Sequence, residues 1–188
     1  MNIKPTPEQI EQGLTDEAAG VRLSWVLRID WTPTPEQIER GLTDVEVSVR
    51  WEWAYRMDFT PTPLQIERGM TDEEGWVRRA WAKRMDWTPT PEQAERGILD
   101  KDSSVREAWL RRMDWTPTPE QIERGMSESS IGVTVAWLQR TDIVWSKGHI
   151  QEGLQHKYAA IREAWEQVAI RQNEWMTQPS ALDMSQIL

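Results

Sequence analysis

The chain contains no cysteine, one phenylalanine, two tyrosines and two histidines in 188 residues. Without cysteine there are no disulfides, no thiolate-held clusters and no thiol chemistry, a usage that fits a reducing compartment and leads us to expect a cytoplasmic protein. Long apolar runs are missing as well. No stretch approaches the roughly 18 residues of a membrane span, and the first residues lack a basic segment followed by an apolar one, so neither a span nor a signal peptide is expected. A basic excess is also lacking: 22 lysines and arginines face 31 aspartates and glutamates, a net charge of −9. That balance argues against a nucleic-acid binder, whose surface carries a basic footprint.

Catalytic motifs are equally scarce. There is no glycine-rich phosphate loop, no HExxH and no Ser/His/Asp set. The two histidines, His149 and His156, are seven apart, a spacing that would place both on one helical face, but two histidines without a third ligand make a weak metal site. We read them as cap-surface residues. The abundant carboxylates recur in register, which suits a structural ladder better than an acid/base pair whose two environments differ. No catalytic, cofactor-binding or metal-binding residue is assigned, no cofactor is expected, and the chain is read as a non-enzyme.

What the chain does have is a period. Tryptophan returns every 28 residues at Trp25, Trp53, Trp81, Trp109, Trp137 and Trp165. Gly13, Gly41, Gly69, Gly97, Gly125 and Gly153 keep the same spacing, as do Pro7, Pro35, Pro63, Pro91 and Pro119. Self-similarity at such an interval marks a stacked array rather than one globular core. Six units follow, at 3–30, 31–58, 59–86, 87–114, 115–142 and a degenerate cap at 143–170, within a single array over 1–175 that shows no internal domain boundary. Residues 176–188 are expected to form a flexible tail. Burial of one tryptophan per unit does not offset the entropy of ordering 28 residues, so the remaining apolar columns must be buried between neighbours.

Each unit reads as two helices. In Thr34-Pro35-Glu36-Gln37 a threonine precedes proline, with glutamine three places on, the pattern of a capping box with proline at the first helical position. Ile38 and Leu42 then share one face beside Gly41, where a small residue would admit a neighbouring backbone. Asp44 is expected to cap a second helix carrying Val49, Trp53 and Met57 as its apolar stripe. Two prolines, Pro61 and Pro63, stop it. The expected fold is all-α, a right-handed α-solenoid of about six 28-residue two-helix repeats.

The ladder Asp16/Val21/Arg22, Asp44/Val49/Arg50, Asp72/Val77/Arg78 and Asp100/Val105/Arg106 resembles the Asp and Val-Arg ladder of HEAT-like repeats. Together with the TPTPEQ segment, the unit is similar to the leucine-rich repeat variant class. The resemblance covers about residues 3–142 and implies a fold rather than an activity. Tryptophan in place of a smaller core residue and a longer unit depart from that class, and no cysteine is present to ligate the cluster found beside some of its repeats. Unit six departs further, with Lys147 in the proline column, Gly148 in the glutamate column and His156 in the aspartate column, as capping repeats do.

Repetition separates scaffold from variable surface. On a helical wheel the Val, small, Trp and Arg positions of the second helix cluster together. On the opposite side three positions vary freely: Gly20, Ser48, Trp76 and Ser104; Leu23, Trp51, Arg79 and Glu107; Leu27, Tyr55, Lys83 and Arg111. Leu23, Leu27, Trp51, Tyr55, Trp76, Arg79, Lys83, Glu107 and Arg111 are therefore the candidate partner-binding residues, with Trp51, Tyr55 and Trp76 as anchors, since aromatics and arginine dominate binding hot spots. Packing on adjacent units or on each other is the competing use of these three aromatics. Trp31, Phe59, Trp87 and Trp115 form a regular column read as core, and Arg28/Asp30, Arg56/Asp58, Arg84/Asp86, Arg112/Asp114 and Arg140/Asp142 read as a structural ladder at the ends of the second helices.

The leading expectation is a non-enzymatic module that binds another protein through this variable face, with no direct nucleic-acid or membrane contact and nothing that indicates self-association. The alternative is an acidic, phage-encoded inhibitor that imitates the phosphate backbone and blocks a nucleic-acid-binding protein. At the edge holding the first-helix starts and second-helix ends stand fourteen carboxylates, Glu8, Glu11, Asp30, Glu36, Glu39, Asp58, Glu67, Asp86, Glu92, Glu95, Asp114, Glu120, Glu123 and Asp142. Eight basic residues, Lys4, Arg28, Arg56, Lys83, Arg84, Arg111, Arg112 and Arg140, offset them, leaving little more than one excess charge per unit. Duplex DNA presents a charge every ~1.7 Å and packed helices stand ~8–10 Å apart, so a faithful mimic needs about five per unit. An enzyme pocket around His149 and His156 ranks third.

Overall fold

A computed structural model describes residues 4–177, with side chains through Gln172. The described residues form twelve α-helices and no strand, so the fold is all-α. The chain divides into two compact units, Met1–Trp115 and Thr116–Leu188. The first holds α1 (Pro7–Leu14), α2 (Ala19–Val26), α3 (Pro35–Leu42), α4 (Val47–Tyr55), α5 (Pro63–Met70), α6 (Gly75–Lys83), α7 (Pro91–Ile98) and α8 (Ser103–Leu110). The second holds α9 (Pro119–Met126), α10 (Ile131–Gln139), α11 (Lys147–Gly153) and α12 (Ala159–Thr177).

Local chemistry sets the start of each odd-numbered helix. Thr34 Oγ1 accepts from Gln37 N at 3.3 Å while Thr34 N donates to Gln37 Oε1 at 3.0 Å, and Pro35 occupies the first turn, where its missing N–H costs nothing. The same reciprocal box forms at Thr6, Thr62, Thr90 and Thr118. The second helices begin differently. Asp44 does not cap α4, whose N-cap is Glu46 without a side-chain bond. Instead Asp44 accepts from Glu46 N at 2.9 Å in a turn just ahead of the helix, and its carboxylate is also taken by Arg22.

Within the first unit, each helix packs on its partner in the repeat, and α2, α4, α6 and α8 pack in succession. Val49, Trp53, Val77, Trp81, Val105 and Trp109 are almost wholly buried along that line. Met57 does not belong to it: α4 ends at Tyr55, and Met57 lies in the following loop, 61% exposed. The glycine column also has a different purpose from the one expected. What approaches Gly41 is the indole of Trp53 in the same repeat, not a neighbouring backbone, and a Cβ there would overlap the ring. Gly69 and Trp81 repeat the arrangement, as do Gly125 and Trp137 in the second unit. The tryptophan thus fits into a notch that only glycine leaves open.

Two arginine columns tie neighbouring repeats in the first unit. Arg22, Arg50 and Arg78 each grip the aspartate of the next repeat, Asp44, Asp72 and Asp100, through Nε and Nη2, and donate Nη1 to carbonyls of their own repeat. The second column reaches backward. Arg84 donates Nη1 to the Ala54 and Arg56 carbonyls at 3.1 and 2.7 Å, Nη2 to Phe59 O and Asp86, and Nε to Asp86. All five guanidinium donors are used. The carbonyls lie at the end of α4, where a cation also meets the negative end of the helix dipole.

The aspartates of this column, read from sequence as part of a structural ladder, pair with the arginine two residues earlier in their own repeat. The junction aromatics enclose the guanidinium: Arg84 lies 4.6 Å from the Phe59 ring and 5.3 Å from Trp81, and Arg112 lies 4.5 Å from Trp87 and 5.4 Å from Trp109. Trp31 and Trp115 are buried, as expected of core, while Phe59 and Trp87 are half-buried.

The second unit closes differently. Val168 stands in the arginine column, and Arg171, one turn later on α12, donates to Leu138 O and Arg140 O at 3.0 and 3.2 Å. α12 spans 19 residues against eight or nine for the other second helices, because no proline interrupts it before Pro179. It therefore includes residues 176 and 177, assigned to the tail from sequence; the rest of that segment, 178–188, lies outside the described residues.

Candidate protein-binding face

The nine candidate residues lie on or at the ends of α2, α4, α6 and α8, on the side turned away from the buried valine and tryptophan columns. Leu27, Tyr55, Trp76, Arg79, Lys83 and Arg111 are exposed, and Leu23, Trp51 and Glu107 are half-buried. Trp76 is 59% exposed, an unusual setting for the largest apolar side chain. Trp51 and Tyr55, one turn apart on α4, pack edge to face with centroids 4.9 Å apart, which stiffens both rings. Packing among these residues and exposure of the face therefore coexist.

The charges of the face divide along it. On α8, Glu107 and Arg111 neutralise each other at 2.6 Å. On α6, Arg79 and Lys83 have no ion pair among the described residues. Beside the aromatic anchors of α4 and α6 the surface is thus locally cationic in a chain of net charge −9. Glu52, half-buried on α4, has its carboxyl pushed up by burial, partly opposed by the Arg56 charge.

The acidic edge is largely internal to the scaffold. At least eight of the fourteen carboxylates named above are paired with arginine: Asp30, Asp58, Asp86, Asp114 and Asp142 with the arginine two residues earlier, and Glu11, Glu39 and Glu67 with Arg40, Arg68 and Arg96. Hydrogen bonds from Arg40 and Gln37 hold Glu11 below the usual carboxylate range, and Gln93 with Arg96 does the same for Glu67. Burial pushes Glu39 up, but bonds from Arg68 and Gln65 outweigh it. This third ladder was not anticipated from the sequence, although Arg40, Arg68 and Arg96 keep the 28-residue spacing that could have revealed it.

The histidines do not share a helical face. His149 lies in α11 and His156 in the loop after it. His156 Nδ1 accepts from Tyr158 N at 3.2 Å, the same turn that Asp44 makes with Glu46, so a ring nitrogen replaces the carboxylate of its column. His149 faces Glu123 at 3.8 Å. No group of three His, Cys, Asp or Glu able to hold a metal occurs among the described residues. No described helix is long and apolar enough to cross a membrane.

A feature that sequence reasoning passed over is the loop column Ile29, Met57, Met85 and Met113, exposed by 94, 61, 58 and 51%. Its period was visible, but Met57 read as part of the apolar stripe and the column was not singled out. The fold and its ladders define an all-α protein of repeated helix pairs. No protein-family model matches the chain, and comparison with curated proteins and with solved structures returns no match.

Proposed function

We propose that the chain is a right-handed α-solenoid of six 28-residue repeats, HEAT-like in its Asp and Val-Arg ladder, that binds another protein through the variable face of its second helices. Trp76 carries this reading: a largely exposed tryptophan shares the variable face with the Trp51/Tyr55 pair and with Arg79 and Lys83, which have no ion pair among the described residues, while the scaffold beneath is repeated. A partner suited to it presents apolar side chains flanked by carboxylates. No group on this face is arranged as nucleophile and base, and the reading assigns it no catalysis. Affinity capture from the native host with the unchanged chain and with Trp51→Ala/Trp76→Ala tests the proposal. The double variant should keep its melting temperature and lose the captured partner; equal capture by both would overturn the reading.

The competing proposal, an acidic inhibitor imitating a phosphate backbone, draws on Glu8, Glu36, Glu92 and Glu120. These exposed carboxylates are held below their usual range by backbone N–H groups at helix starts and by the capping threonines, so they stay ionised. It is weakened by the carboxylates of that edge, at least eight, already paired with arginine. Partner affinity that is insensitive to salt would eliminate it.

A further inference from the structure

The last repeat contains a pocket of about 420 Å³ that has no part in the binding face described above. It opens where the repeat departs from its pattern: Ile143 replaces the junction aromatic, Trp145 replaces the first proline of the TPTP segment and Lys147 the second. Its walls are Ile143, Val144, Trp145 and Ile150, and its polar lining includes Lys147, Arg171 and Gln172. A concave, mostly apolar volume of this size with a few convergent polar groups has the make-up of a small-molecule site.

Two observations specify the polar end of the occupant. Lys147 and Arg171 have no carboxylate partner among the described residues; Arg171 is held only by the Leu138 and Arg140 carbonyls. Trp145, 4% exposed, keeps its Nε1–H buried without an acceptor, and Gln172 Oε1 is likewise buried without a donor. Trp87 Nε1 is the remaining orphan of this kind among the described residues, but it belongs to the junction column, in which Trp31 and Trp115 donate to the carbonyl six residues earlier. Trp145 belongs to no such column. Of the two deficits beside the pocket, the buried Trp145 N–H is one that a bound acceptor removes.

We propose that this pocket binds an aliphatic carboxylate, a chain of the fatty-acid type with its tail against Ile143, Val144, Trp145 and Ile150. The carboxylate lies between Lys147 and Arg171 and accepts from Trp145 Nε1. The Gln172 amide lines the same end of the pocket and keeps its 3.3 Å bond from Nε2 to Trp145 O. Apolar length supplies affinity and the two cations select the charge of the head.

Calorimetric titration of the full chain with decanoate, decanol and decylamine tests the proposal. Decanoate should bind saturably and about tenfold more tightly than decanol, decylamine should be the weakest, and Lys147→Glu should remove the preference for decanoate while leaving decanol unchanged. The indole N–H resonance of Trp145, assigned by its loss in Trp145→Phe, should shift with decanoate. Lys147 is exposed, so its replacement leaves the fold intact, which an unchanged melting temperature verifies. The proposal fails if no saturable binding occurs, if the three heads bind alike, if Lys147→Glu leaves the preference in place, or if decanoate binds only after removal of residues 178–188, which would make that segment the occupant.

Discussion

The first repeat and the third contain the same cassette and use it differently. Trp25 is half-buried where Trp81 is 1% exposed, and Val21 is 38% exposed where Val77 is 2%. Arg28 pairs with Asp30, lies 4.9 Å from the Trp25 ring and leaves 40% of its side chain in solvent, whereas Arg84, at 2%, spends every donor on the preceding repeat and on Asp86. One motif thus has two energetic values. What differs is the neighbour on the N-terminal side, so the stabilising interactions belong to the junctions and not to the repeat. The final repeat makes the same point in reverse: with Val168 in the arginine column, Arg171 reaches the equivalent carbonyls from one turn further along α12.

The contrast can be broken most strongly at the tryptophans. Trp81→Ala should cost about 3–5 kcal/mol in denaturant unfolding, the range for a buried aromatic, and Trp25→Ala clearly less, because part of its surface is already wet. Gly69→Ala adds a methyl inside the Trp81 notch and should cost about 1–3 kcal/mol through displacement of the ring. Gly20→Ala, with open space around the added carbon, should be neutral or slightly stabilising.

Smaller effects are expected along the first-helix ladder. Glu67→Gln should cost no more than about 1 kcal/mol and lose its effect at high salt, since the Glu67 and Arg96 side chains are both well exposed. Glu11, Glu39, Glu67, Asp30 and Asp102 are all held below the ordinary carboxylate range in the folded chain. Their contribution is therefore full above the unfolded carboxylate values and disappears as pH falls through the lower folded ones, so the melting temperature should drop on acidification below about pH 4.5. Glu52 runs the other way, and Glu52→Gln should be slightly stabilising at neutral pH.

Starts of the first helices were legible because the capping box is written in adjacent letters, Thr-Pro-x-Gln, and needs nothing from elsewhere in the chain. The second-helix starts were misread for the opposite reason. Asp44 looked like a cap, but its oxygens are taken by a turn and by Arg22 of the preceding repeat, a partner that local spacing does not show. The role of Arg56 and Arg84 was half legible: the pairing with aspartate is visible in sequence, while the backbone carbonyls they bind carry no letter at all. On the variable face, repetition marked which positions vary, and six of the nine lie in solvent, yet the local cationic character of α6 depends on which arginines have carboxylate partners, and sequence does not show that. The pocket of the last repeat was not legible, because it is made by substitutions that read as degeneration.

The most direct measurement compares Arg28→Ala with Arg84→Ala in equilibrium unfolding under identical conditions. If junctions hold the stability, Arg84→Ala should cost about 3–5 kcal/mol, leaving the Ala54, Arg56 and Phe59 carbonyls and Asp86 unsatisfied, while Arg28→Ala, which breaks an exposed pair and a contact with the Trp25 ring, should cost clearly less. Equal losses for the two variants would contradict the account, because they would place the value of the motif in the repeat itself.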